Sequence, residues 1–81
     1  MKAYVLVETE PYGSNTVGVF AEKADAIKLM FSRYDAAIED NPDAADDPHT
    51  YVDHNGGCVG NPDDPDGWIY WDVEPHELWG A

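Results

Sequence analysis

Every lysine and arginine of this chain lies within its first 33 residues, and that asymmetry limits what the remainder can become. Residues 1–40 hold Lys2, Lys23, Lys28 and Arg33 against seven acids; residues 41–81 hold ten acids and no cation, a formal −10. The whole chain carries −13. Unpaired carboxylates stay out of an interior, and their mutual repulsion works against compaction. Eighty-one residues make one domain, expected to span 1–81. A domain of this size hides only about 60–65% of the surface its unfolded chain exposes. So thin a core favours function on a surface over function in a deep cleft.

The same numbers exclude whole classes. Without clustered cations there is nothing to displace phosphate counterions, so direct nucleic-acid binding is not expected. An anionic membrane surface is excluded on the same ground. One cysteine, Cys58, forms no intrachain disulfide. The opening apolar run ends at Glu8, too short for a signal peptide, and no stretch approaches the roughly 20 apolar residues of a membrane span. The expected compartment is the cytoplasm.

Residues 3–8 alternate in the manner of a strand, with Tyr4 and Leu6 on one face and Ala3, Val5 and Val7 on the other. Turn chemistry follows at 10–15, then a second strand over 16–20, so the two should form an antiparallel hairpin. Ile27, Met30, Phe31, Tyr34, Ala37 and Ile38 recur at helical spacing as an apolar stripe. Asn41 and Pro42 stop that helix. Glu39 and Asp40 sit at its C-terminal end, where the helix dipole disfavours acids. Residues 41–67 read as a long acidic loop rich in Asp, Pro, Asn and Gly, with only Thr50, Tyr51 and Val52 hinting at a strand. The last clear strand is 68–73, with Ile69, Trp71 and Val73 on one face and Trp68, Tyr70 and Asp72 on the other. Pro75 puts its far end at an edge or a bulge. The expected fold is α+β: a three- or four-stranded antiparallel sheet in order 2-1-3, with one amphipathic helix on one face (ββαβ). The second face of such a sheet stays open.

Lys2-Ala3-Tyr4-Val5-Leu6-Val7-Glu8, then Gly18-Val19-Phe20, a helix, and Trp71-Asp72-Val73-Glu74-Pro75-His76-Glu77-Leu78 form a pattern. It resembles a loose group of small uncharacterised bacteriophage-type ββαβ proteins, over about half of the chain. The resemblance implies a phage or mobile-element origin and carries over no catalytic residue. The acidic insert 41–67 and the scarcity of lysine depart from the pattern.

Each candidate for chemistry meets a physical objection. Asp64-Pro65-Asp66-Gly67 echoes the centre of a calcium loop, but Pro62 and Val73 then occupy the first and last ligand positions and supply no carboxylate. His49, His54, Cys58 and His76 lack the paired spacing of zinc ligands. Cys58 stands in a negative field, which raises a thiol pKa and lowers its reactivity. Gly56-Gly57 beside so many carboxylates would repel a phosphate. No catalytic residue, metal ligand or cofactor is expected, and the chain reads as non-enzymatic.

What remains is binding. The partner surface is expected to comprise Asp43, Asp46, Asp47, Asp63, Asp64 and Asp66 with the aromatics Trp68 and Tyr70. These acids would imitate nucleic-acid phosphates and occupy the groove of a basic, nucleic-acid-binding host protein, as an inhibitor of a defence system would. A homodimer through the open sheet face is a further mode of association. Two other readings stand beside this one. Aspartate outnumbers glutamate eleven to six and lysine is rare, as in halophile-adapted domains whose acidity is solvation alone. The third reading is a calcium-binding module.

Overall fold

The computed structural model describes residues 2–63 and 67–77. Strand β1 (Lys2–Glu10) turns through Pro11 and Tyr12 into β2 (Gly13–Phe20), and helix α1 (Lys23–Asp40) follows. A 3-10 turn (Pro42–Asp46) leads to two short strands, β3 (Tyr51–Val52) and β4 (Gly56–Val59), and then to β5 (Ile69–Glu77). The sheet is antiparallel throughout, in order β2-β1-β5-β4-β3. The α+β class with one helix and an open antiparallel sheet therefore stands. The strand count and the order 2-1-3 are corrected: the expected strands form consecutive members of a five-stranded sheet, and β4 and β3 extend it beyond β5.

The larger correction falls within the expected loop 41–67, where residues 42–59 hold a 3-10 turn and two strands. Asp53 accepts hydrogen bonds at Oδ1 from the backbone N–H groups of Asn55 (2.8 Å) and Gly56 (3.0 Å), which folds the β3–β4 hairpin. Thr50 staples the insert, donating its hydroxyl to the Ala44 carbonyl (2.6 Å) and accepting from the Gly60 N–H (3.0 Å). Lys23 Nζ, at the start of α1, donates to Asn55 Oδ1 (2.9 Å) and ties the hairpin tip to the helix.

Side chains alternate across the sheet. Leu6, Trp71, Val73 and Val59 face α1 and form the core with Ala26, Met30 and Ala44; Leu6, Met30 and Trp71 are wholly buried. The helix meets the sheet along Ala26, Leu29, Met30, Tyr34, Ala37 and Ile38, so the apolar stripe is rotated from the expected one. Ile27 and Phe31 fall on its flank. Phe31 is half-buried, edge-on to His54 at 6.4 Å between ring centroids. Ala26, wholly buried, lets the helix approach the sheet closely on the side away from Ile27 and Phe31. Met30→Ala should therefore cost about 2–5 kcal/mol, and Phe31→Ala about half as much; chemical denaturation of both variants measures the order.

Two backbone details fix β4 and β5. A Cβ at Gly56 would lie 2.6 Å from the Trp71 carbonyl oxygen, so only glycine allows β4 to approach β5 there. Gly56→Ala should destabilise by about 1–3 kcal/mol and lower the melting temperature accordingly. Pro75 pairs with Tyr4 on β1. The Val73 N–H points the other way, to the Asn55 carbonyl (2.9 Å), and alternation directs the Pro75 nitrogen to that same side. β4 pairs with β5 only as far as Asp72, so the donor that proline lacks would find no strand. Pro75 thus sits at a locally open edge of an otherwise central strand.

Candidate binding site

The expected partner residues separate into distinct regions. Asp43 and Asp46 are exposed on the 3-10 turn. Asp47 follows them and accepts from His49, both from its backbone N–H (2.8 Å) and at its Nδ1 (2.9 Å). Those hydrogen bonds hold the Asp47 carboxyl below its usual range. Asp63 is exposed in the turn after β4, where its N–H donates to Asn61 Oδ1 (2.9 Å). Asp64 and Asp66 lie outside the described residues. Trp68 and Tyr70, expected on one face, part company. Trp68 precedes the strand and lines a groove with the helix residues Ala37 and Asp40, whereas Tyr70 stands on the open face.

That open face has a definite pattern. One row across the sheet runs Thr9, Tyr70, Cys58, Tyr51; the next runs Val7, Asp72, Gly56; the next joins Val19, Val5 and Glu74. Val19 is 63% exposed, Tyr51 44% and Tyr70 37%, although the cysteine between the two tyrosines is only 1% exposed. Burial, and then the charge of Asp47, push the Cys58 thiol above its usual pKa, and it donates to the Gly60 carbonyl (3.4 Å). Burial beside Tyr70 and a hydrogen bond to it push Tyr51 up to about 12. Asp72 is raised too, first by burial and then by the charge of Glu74 and their shared hydrogen bond. Glu74 also meets His76 Nε2 at 3.2 Å.

Sequence reading missed the most constrained polar group. Glu8 shares the inner face of β1 with Tyr4 and Leu6 and is 8% exposed. Arg33 donates to it through both Nε (2.8 Å to Oε1) and a terminal nitrogen (2.9 Å to Oε2). Trp71 Nε1 adds a third donor at 2.8 Å to Oε1. The Arg33 hydrogen bonds lower the Glu8 pKa against the opposing pull of burial, and Trp71 assists. A charged residue in phase with a core face demands such a partner, and Arg33 is the chain's one arginine.

Above this pair lies a continuous groove. A cavity of about 350 Å³ is bounded by the β1–β2 turn (Glu10, Pro11, Tyr12), the C-terminal end of α1 (Asp40, Asn41) and the approach to β5 (Trp68, Ile69). A second cavity of about 200 Å³ shares Glu10, Ala37, Asp40 and Ile69 with it and has Glu8 and Arg33 in its wall. Among the described residues, no three His, Cys, Asp or Glu side chains converge to hold a metal ion, and no helix is long and apolar enough to cross a membrane. Compared with family models, curated proteins and solved structures, the chain finds no match.

Proposed function

We propose that this chain is a non-enzymatic acidic binding protein that occupies the nucleic-acid-binding surface of a basic partner, its carboxylates standing in for phosphates. The observation that carries the reading is the footing of the acids. Asp43, Asp46 and Asp63 project from an insert stapled by Thr50, with no lysine or arginine anywhere after Arg33. Carboxylates on an ordered scaffold present a fixed negative field, which steers a basic surface and suppresses acidic ones. The exposed tyrosines of the open face, Tyr51 and Tyr70, supply the rigid aromatic contact that binding surfaces favour. Stacking two copies through that face would oppose two pairs of Asp72 and Glu74, so a basic partner suits it better than a second copy. An inhibitor of a host nucleic-acid-binding protein, carried by a phage or mobile element, is the biological form this chemistry fits.

The test is competition. The immobilised protein is challenged with lysate at low and at physiological salt, and each captured protein is then displaced with duplex DNA or with RNA. Nucleic-acid-binding proteins released by nucleic acid support the reading. Acidic captured proteins, or basic ones that nucleic acid fails to displace, overturn it.

A further inference from the structure

The groove at the C-terminal end of α1 has features that a diffuse acidic surface lacks. Its lining is apolar and aromatic at Pro11, Tyr12, Trp68 and Ile69 and acidic at Glu10 and Asp40. Both acids are solvent-exposed. Asp40 is the last residue of α1, whose final turn holds no basic side chain, so its charge adds to the negative end of the helix dipole. Arg33 reaches the neighbouring cavity and feels Glu10 as well, but both of its hydrogen bonds to a carboxylate go to Glu8. Among the described residues that line the two cavities, three carboxylates face one guanidinium, an excess of two negative charges. An anion is repelled from such a place; a cation with an apolar stem is attracted.

We infer that this groove receives a single arginine side chain of the basic partner, an inference that rests on the function proposed above. About 350 Å³ lies at the lower end of the roughly 300–1,000 Å³ usual for ligand pockets, a size for one side chain rather than a folded element. The arginine stem lies along Pro11 and Ile69, as long cationic side chains do on apolar surface. Its planar head stacks on Trp68, the most favourable ring for a cation, and its fork of donors meets the Glu10 and Asp40 carboxylates. A lysine ammonium is a more strongly hydrated point charge without the flat face or the fork, so arginine is preferred.

The probes are blocked Gly-Arg-Gly, Gly-Lys-Gly and Gly-citrulline-Gly peptides, titrated into the full chain and followed by the Trp68 indole NMR signal and by the backbone amide signals of Glu10, Asp40 and Ile69, which the Trp68→Ala variant retains. The expected result is saturable binding of the arginine peptide in the millimolar range, on the order expected for a fragment. Lysine should bind at least about threefold more weakly, and neutral citrulline should not saturate. Glu10→Gln and Asp40→Asn, both at exposed positions, should each weaken arginine binding several-fold while leaving the folded spectrum intact; Trp68→Ala should abolish it. Equal binding of lysine and arginine, or shifts confined to the 3-10 turn around Asp43 and Asp46, would overturn the inference. The captured basic partner separates the two readings. If it binds Asp40→Asn and Trp68→Ala as tightly as the original, the groove inference fails while the proposed function survives. If no basic partner is captured but the arginine peptide still saturates the groove, the proposed function fails and the groove stands.

Discussion

Replacing Asp43, Asp46, Asp47, Asp63, Asp64 and Asp66 together by Asn is expected to weaken binding to the basic partner about a hundredfold and to raise the melting temperature. Each exposed charge pair across an interface contributes about 0.2–1 kcal/mol; six at about half a kcal/mol give roughly 3 kcal/mol, or two orders of magnitude in affinity. Most of that loss should appear in the association rate at low salt. It should shrink as the Debye length falls to about 8 Å at physiological ionic strength. The stability change has the opposite sign, because removing like charges from a chain of −13 relieves self-repulsion. Asp47 is the internal control: His49 lowers its pKa, so neutralising it alone should not help the fold. Calorimetry and stopped-flow association, with DNA as competitor, read both signs at once. A neutralised protein that competes as well as the original removes the mimicry reading. If the original also loses its structure in low salt, halophilic adaptation takes its place.

The elements legible in the sequence are those whose side chains carry the signal. β1, β2, α1 and β5 announce themselves through alternation or helical spacing. β4 does not, because Gly56, Gly57 and Cys58 are chosen for what they leave out. The strand exists by pairing with β5 on one side and β3 on the other, with glycine at the point of closest approach. A signal was present in Asp53, a residue type whose carboxylate accepts from N–H groups two and three positions on and so closes a turn, as it does here with Asn55 and Gly56. The helix packs on a face that takes in Ala26 and Leu29 in place of Ile27 and Phe31, and helical spacing alone does not choose between those neighbouring stripes. Strand alternation gives Trp68 a face, yet it lies just before the strand begins and the alternation does not reach it. The groove could not be read at all: the β1–β2 turn, the end of α1 and the approach to β5 meet only in three dimensions. Glu8 was readable, being in phase with Tyr4 and Leu6, although nothing local pairs it with a residue 25 positions away.

Glu8→Gln is expected to be the most destabilising single change at a polar position, by roughly 2–3 kcal/mol, or about 10–20 °C in melting temperature for a domain of this size. The amide keeps one acceptor oxygen where the carboxylate serves three donors, so Arg33 and the buried Trp71 N–H compete for it. The Arg33 side chain is 44% exposed and recovers part of its loss by hydration, which holds the figure below that of a fully buried pair. The pH dependence carries the sharper test. A carboxyl whose pKa is lowered by folding contributes stability that is fully present above its ordinary value of 4.5 and is lost as pH falls through the lowered one. Asp72 works oppositely. Its raised pKa means that protonation, beginning above its ordinary value of 3.8, favours the folded state. Stability of the original should therefore show a climb where Asp72 protonates, at pH values above 3.8, opposed by a drop that begins below 4.5 as the Glu8 contribution is lost. In Glu8→Gln the climb should persist and the drop should flatten. Replacing both partners by apolar residues of similar shape, Glu8→Leu with Arg33→Met, should recover part of the loss, because a missing pair costs less than a broken one. Equal melting of Glu8→Gln and the original at pH 7, with the same acid limb in both, would show that the Glu8 charge contributes nothing to the fold.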